Sequence, residues 1–102
     1  MTYQLVLQWS ASSINEYDAI VAVEDELIDA MPEGSEVDGH DAGSGEMNIF
    51  IRTNAPVHVF NALKSVLADS GLLASARVAF REQSKSAYTV LWPEGLKSFK
   101  VT

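Results

Sequence analysis

The chain has no cysteine, and its first 51 residues contain neither lysine nor arginine. Without cysteine there is no disulfide framework, no thiolate nucleophile and no cysteine-ligated zinc or iron–sulfur centre. The fold is therefore expected to form without metal or disulfide, and the absence fits the cytoplasm. Long apolar runs are missing as well: none approaches the roughly 18–20 residues that cross a bilayer, and Met1-Thr2-Tyr3-Gln4 offers no basic segment followed by an apolar one. The expectation is a cytoplasmic protein with no membrane partner. At 47% apolar residues the chain is not of disordered composition, and its 102 residues suit one domain, 1–102, and are too few for two.

What is present is charge sorted by half. Residues 1–51 hold eleven of the fourteen acidic residues and no basic ones, a net −11, whereas residues 52–102 hold seven basic and three acidic residues, a net +4. Such sorting bears on partners and not on fold. It favours a basic macromolecule against the acidic half, or self-association that joins unlike halves. With −7 overall, most of the surface would repel phosphate, so no nucleic acid is expected as a partner.

Tyr3, Leu5, Leu7 and Trp9 alternate with Gln4, Val6 and Gln8, the period of a strand with one face more buried than the other. Ser13 to Glu16 reads as a capping box that starts a helix running to about Met31, where Pro32 and Gly34 stop it. Two extended runs, Glu36 to Asp41 and Glu46 to Thr53, joined through Gly43-Ser44-Gly45, predict a hairpin. Pairing Ala42 with Glu46 sets His40 opposite Asn48, Asp38 opposite Phe50 and Glu36 opposite Arg52. Asn54 is the expected cap of a second helix with Pro56 in its first turn, an apolar stripe of Val59, Phe60, Leu63, Val66 and Leu67, and a left-handed stop at Gly71. Ala76, Val78 and Phe80 alternate with Arg77, Ala79 and Arg81 in a fourth strand, and Tyr88 to Trp92 make a fifth.

That order, β-α-β-β-α-β with an added C-terminal strand, resembles the ferredoxin-like split β-α-β superfold over most of the chain. The resemblance implies an α+β two-layer sandwich with antiparallel strands in the order 4-1-3-2, both helices on one face, and the fifth strand beside the fourth. Leu5, Leu7, Ile49, Ile51, Val78 and Phe80 then face the helices. Gln4, Val6, Gln8, Asn48, Phe50, Arg52, Arg77 and Arg81 share the open face with Asp38 and His40. Superfolds host many unrelated functions, so the resemblance implies no activity.

Two groups of residues invite a functional reading. The first is the polar face of the first helix, Asp18, Asp25, Glu26 and Asp29, with no cation on that helix to offset it. It is either a solvated face or a docking surface for a basic partner. The second is a candidate polar site around the glycine-rich hairpin: His40, Asp41, Glu46, Asn48 and Arg52, with Glu24 from the first helix. His40, Asp41 and Glu46 have metal-ligand or acid–base chemistry but no recognised ligand spacing, and a solvated hairpin explains them equally simply. Glu24 lies among Tyr17, Ile20, Val21, Leu27, Ile28 and Met31 at helical spacing, so it is a buried paired acid or a carboxylate at a seam in water, the second being preferred.

The expected function is that of a small acidic binding domain, not an enzyme, acting by protein–protein contact. One form is an inhibitor or immunity-type protein that meets a basic partner; another is a homodimer through the open sheet face or the edge of the fifth strand. No catalytic residue, cofactor or metal is assigned. The alternatives are a small enzyme or metal-binding protein using His40, Asp41 and Glu46, and a sensor that binds an anion near Arg52, Arg77 and Arg81.

Overall fold

The computed structural model describes residues 2–10, 14–43, 45–99 and 101. Among them run β1 (Tyr3–Ser10), α1 (Ile14–Ala30), β2 (Glu36–Gly43), β3 (Glu46–Thr53), α2 (Pro56–Asp69), β4 (Arg77–Glu82) and β5 (Thr89–Trp92). The strands form one sheet in the order β2-β3-β1-β4-β5, with every neighbouring pair antiparallel. β1 sits in the middle and is buried on both faces: Leu5 to Trp9 are all buried, Val6 as fully as Leu5 and Leu7, with Gln8 the polar residue among them. The architecture is α+β, and none of the helices is long and apolar enough to cross a membrane.

One sheet face and two helices enclose the core. Leu5 and Leu7 pair with Ile51 and Ile49 on one side and with Phe80 and Val78 on the other, so their side chains line one face. Against it pack Ile20, Val23 and Leu27 of α1, at helical spacing, and Val59, Phe60, Leu63 and Leu67 of α2. Both tryptophans brace the connection after α2: the Trp9 indole N–H donates to the Leu72 carbonyl and the Trp92 indole N–H to the Leu73 carbonyl, each at 2.9 Å. Gly71 takes a φ of +77° there, and Leu72 N–H returns to the Leu67 carbonyl, the left-handed stop expected from the sequence. The start of α2 differs from expectation. Its cap is Ala55, not Asn54, and the Thr53 hydroxyl accepts the Ala55 amide at 2.9 Å. The capping box expected at Ser13 and the hairpin residue Ser44 lie outside the described residues.

The hairpin keeps the expected register at Glu36 and departs from it from Asp38 to the tip, where Ala42 pairs with Met47 and Gly43, not Ala42, with Glu46. Glu36 pairs with Arg52 as expected and Val37 with Ile51, but a bulge at Asp38 then brings Gly39 opposite Phe50 and His40 opposite Ile49. Gly39 adopts a φ of +124°, open to glycine and strained for other residues. Because side chains alternate, one inserted residue moves everything beyond it to the opposite face. His40 therefore leaves the sheet face shared by Asn48 and points to the helix side, whereas Asp41 pairs with Asn48 instead.

Candidate functional site

The buried stripe of α1 decides what its opposite face shows. With Ile20, Val23 and Leu27 against the sheet, Asp18, Asp25, Glu26 and Asp29 are all exposed. Among the described residues none of the four makes an ion pair or a side-chain hydrogen bond. Asp25 and Asp29 stand four apart and Glu26 and Asp29 three apart, spacings at which like charges repel. Ile28 lies among them and is 52% exposed; Val57, at the start of α2, is 49% exposed. These are the exposed large apolar side chains among the described residues. They belong to one end of the helix layer, where the Ser35 hydroxyl, just after α1, meets the Thr53 hydroxyl, just before α2, at 2.8 Å. The result is an apolar anchor beside an acidic surface.

The hairpin cluster divides. His40 Nδ1 lies 3.0 Å from both carboxylate oxygens of Glu24. A carboxylate only accepts, so Nδ1–H is the donor and Nε2 is turned away from Glu24. The Glu24 side chain is 13% exposed and paired, not a carboxylate standing in water at a seam, which corrects the preferred sequence reading. Asp41 and Glu46 lie on the other face, so the grouping of His40, Asp41 and Glu46 that the alternative enzyme or metal-site reading needs does not assemble. Among the described residues no group of three or more His, Asp or Glu side chains converges as metal ligands would. The sequence grouped Glu24 and His40 in one candidate polar site without pairing them; the bulge brings the two into contact.

Partial exposure sets the strength of this clasp. His40 retains 36% exposure, so water screens the pair and its worth is near that of a surface bridge. Glu24→Gln and His40→Ala are each expected to lose about 1 kcal/mol, with a coupling of about 0.5 kcal/mol in a double-mutant cycle read by urea denaturation. Additive losses would show that the two side chains do not interact.

The arginines that the alternative reading as an anion sensor would use are each engaged within the chain. Arg52 pairs with Glu36, and Arg77 with Glu46 at 3.1 Å. Arg81 donates from one nitrogen to the carbonyls of Glu82, Gln83 and Lys85 and so ties down the turn after β4. The face called open is not open at its centre. Val6 and Ala79 have no exposed surface, and Gln8 and Asn48 are buried with the Gln8 amide donating to Asn48 Oδ1 at 3.0 Å. Phe99 packs on Tyr88 with ring centres 5.0 Å apart, and Ser98 and Phe99 line a cavity with Gln8, Glu46 and Arg77. The segment after β5 thus returns over this face. The apolar Leu96 and Phe99 were the sequence signal for that return, and alternation within strands could not register it.

A scan against protein-family models, a search of curated proteins and a search of solved structures each returned no match.

Proposed function

We propose that the protein is a small binding domain of ferredoxin-like architecture that acts by protein–protein contact, using the outer face of α1 to hold a basic partner. Read from the β5 edge, the strand order is 5-4-1-3-2, which contains the 4-1-3-2 arrangement of that superfold and supports the architectural part of the reading. The observation that carries the functional part is the set of exposed, unbridged carboxylates at Asp18, Asp25, Glu26 and Asp29 beside exposed Ile28. Protein interfaces pair an apolar anchor with a polar surround, and charge of one sign steers the opposite one to it. Among the described residues no cation bridges the patch: Arg52, Arg77, Arg81 and Lys85 make their contacts elsewhere, and Lys64 lies over the rings of Phe60 and Trp92. An inhibitor or immunity-type role, in which α1 covers the cationic surface of its target, is the most specific form of the proposal. A cytoplasmic setting belongs to it as well.

A second copy of the chain is the rival occupant, favoured by the opposite charge of the two halves. Its expected route, the centre of the sheet face, has no apolar surface left to offer at Val6. The edges of β2 and β5 remain. Affinity capture from the cells that produce the protein, at low and high salt, separates the two: a basic protein released by salt supports the proposal, and recovery of the chain alone supports self-association.

A further inference from the structure

We propose that the pocket at the C-terminal end of α2 binds a free medium-chain fatty acid, with the alkyl chain in the pocket and the carboxylate on Lys64. The pocket holds about 290 Å³ and is lined by Ala68, Gly71, Leu73, Ala74 and Trp92. That volume is at the small end for ligand sites and suits one apolar chain of about eight to ten carbons. Its walls carry no charged side chain. The Trp92 indole N–H is used on the Leu73 carbonyl at 2.9 Å, so what Trp92 presents to an occupant is its ring. Gly71 and Leu73 donate their amides to the carbonyls of Ala68 and Leu67, each at 3.1 Å, and the Leu73 carbonyl also accepts the Ala76 amide at 3.1 Å. With those groups paired internally, a sugar-like or multiply charged ligand would give up its hydration there without compensation. Ala68 and Ala74 keep the space open through their small side chains, and a Cβ placed on Gly71 meets nothing within 4 Å.

Lys64 decides the charge of the occupant. It lies one turn before Ala68 on the same side of α2, and its Nζ stands 5.0 Å from the centre of the Phe60 ring and 5.4 Å from that of Trp92, a wall of the pocket. The rings hold the ammonium in place and leave its charge unneutralised. Lys64 is partly buried, and among the described residues it has neither a carboxylate partner nor a hydrogen-bond acceptor. That is unexpected in a chain with fourteen acidic residues and seven basic ones, where the more exposed Lys85 finds Glu82 at 3.1 Å. Asp69 and Glu94, the acids next to Ala68 and Pro93 in sequence, line no part of the pocket. An apolar hollow with one unmatched ammonium beside it is complementary to an apolar chain ending in one negative charge. A single compact cation matches a monocarboxylate. The pocket lies at the opposite end of α2 from Val57, so this site stands independently of the partner surface proposed above.

The test is titration of the full chain with octanoate and decanoate below their micelle concentrations, followed by calorimetry and by the amide and indole N–H signals of a nitrogen-15-labelled sample. Saturable binding at one site is expected, with shifts centred on Gly71, Ala74 and the Trp92 indole. Octanamide lacks the charge, octylammonium reverses it and acetate lacks the chain; each should bind at least about tenfold more weakly. Lys64→Gln, verified as folded by circular dichroism, is expected to weaken octanoate about tenfold, whereas Lys64→Arg retains most of the affinity. Ala68→Leu fills the pocket from an exposed helical position and should abolish binding with stability unchanged. Octanamide binding as tightly as octanoate, unchanged binding in folded Lys64→Gln or in Ala68→Leu, or silence from both acids would overturn the proposal. Association with fatty-acid-containing vesicles and none with the free acids would overturn it as well.

Discussion

Trp9→Ala is expected to lose about 3–5 kcal/mol of folding free energy, the largest loss of any single substitution considered. The side chain is 1% exposed, belongs to the core between β1 and the helices, and its indole N–H serves the Leu72 carbonyl at 2.9 Å. Truncation removes the ring, leaves a cavity that the surrounding strands fill only in part, and takes from the Leu72 carbonyl the shorter of its two hydrogen bonds, the other coming from the Ser75 hydroxyl at 3.4 Å. Single domains hold only about 5–15 kcal/mol in total, so the variant would sit close to unfolding at ambient temperature. Trp9→Phe separates the contributions: it keeps most of the apolar ring and gives up the hydrogen bond, for an expected loss of about 1–2 kcal/mol. Denaturant midpoints read by circular dichroism measure both. A loss below about 1 kcal/mol for Trp9→Ala would mean that the end of β1 is not clamped to the connection after α2.

Reversing the charge of α1 should do the opposite, sparing the fold and abolishing the contact. Lysine at Asp18, Asp25, Glu26 and Asp29 changes the charge of residues 1–51 by eight units, from −11 to −3. All four positions are exposed and unbridged among the described residues, so stability is expected to move by less than about 1 kcal/mol. Affinity for a basic partner is expected to fall by about 100-fold or more, some 2.7 kcal/mol, with most of the salt dependence lost as well. Neutral replacements, asparagine for aspartate and glutamine for glutamate, should produce a smaller loss of the same kind. Ile28→Ala tests the apolar part, and its effect should be independent of salt. Surface plasmon resonance across a salt series distinguishes these contributions.

Much of the fold was legible because period and punctuation agree along the chain. Tyr3 to Trp9 alternates as a strand must, and the stripe from Val59 to Leu67 has the spacing of a helix that ends at Gly71. The exposed acidic residues of α1 were legible for the same reason, since the buried stripe determines the exposed one. The polar cluster was not. Alternation carried through Asp38 assigns His40 to the wrong face, and the sequence hint of a bulge is a single glycine at position 39 whose need for positive φ emerges only from the pairing. Glu24 was misread for a related reason: its helical neighbours predict burial, and its partner comes from a strand whose register had been displaced by one. Nor does strand periodicity show that Phe99 returns to the sheet face of Gln8 and Arg77, because a tail without regular structure has no period to read.

Amide hydrogen exchange on the protein with its captured partner bound tests the proposed contact most directly. Protection is expected over α1 from Asp18 to Ala30 and at the start of α2 around Val57, with the edges of β2 and β5 exchanging as in the free protein. Protection confined to those strand edges, with α1 unchanged, would contradict a contact made through the acidic helix.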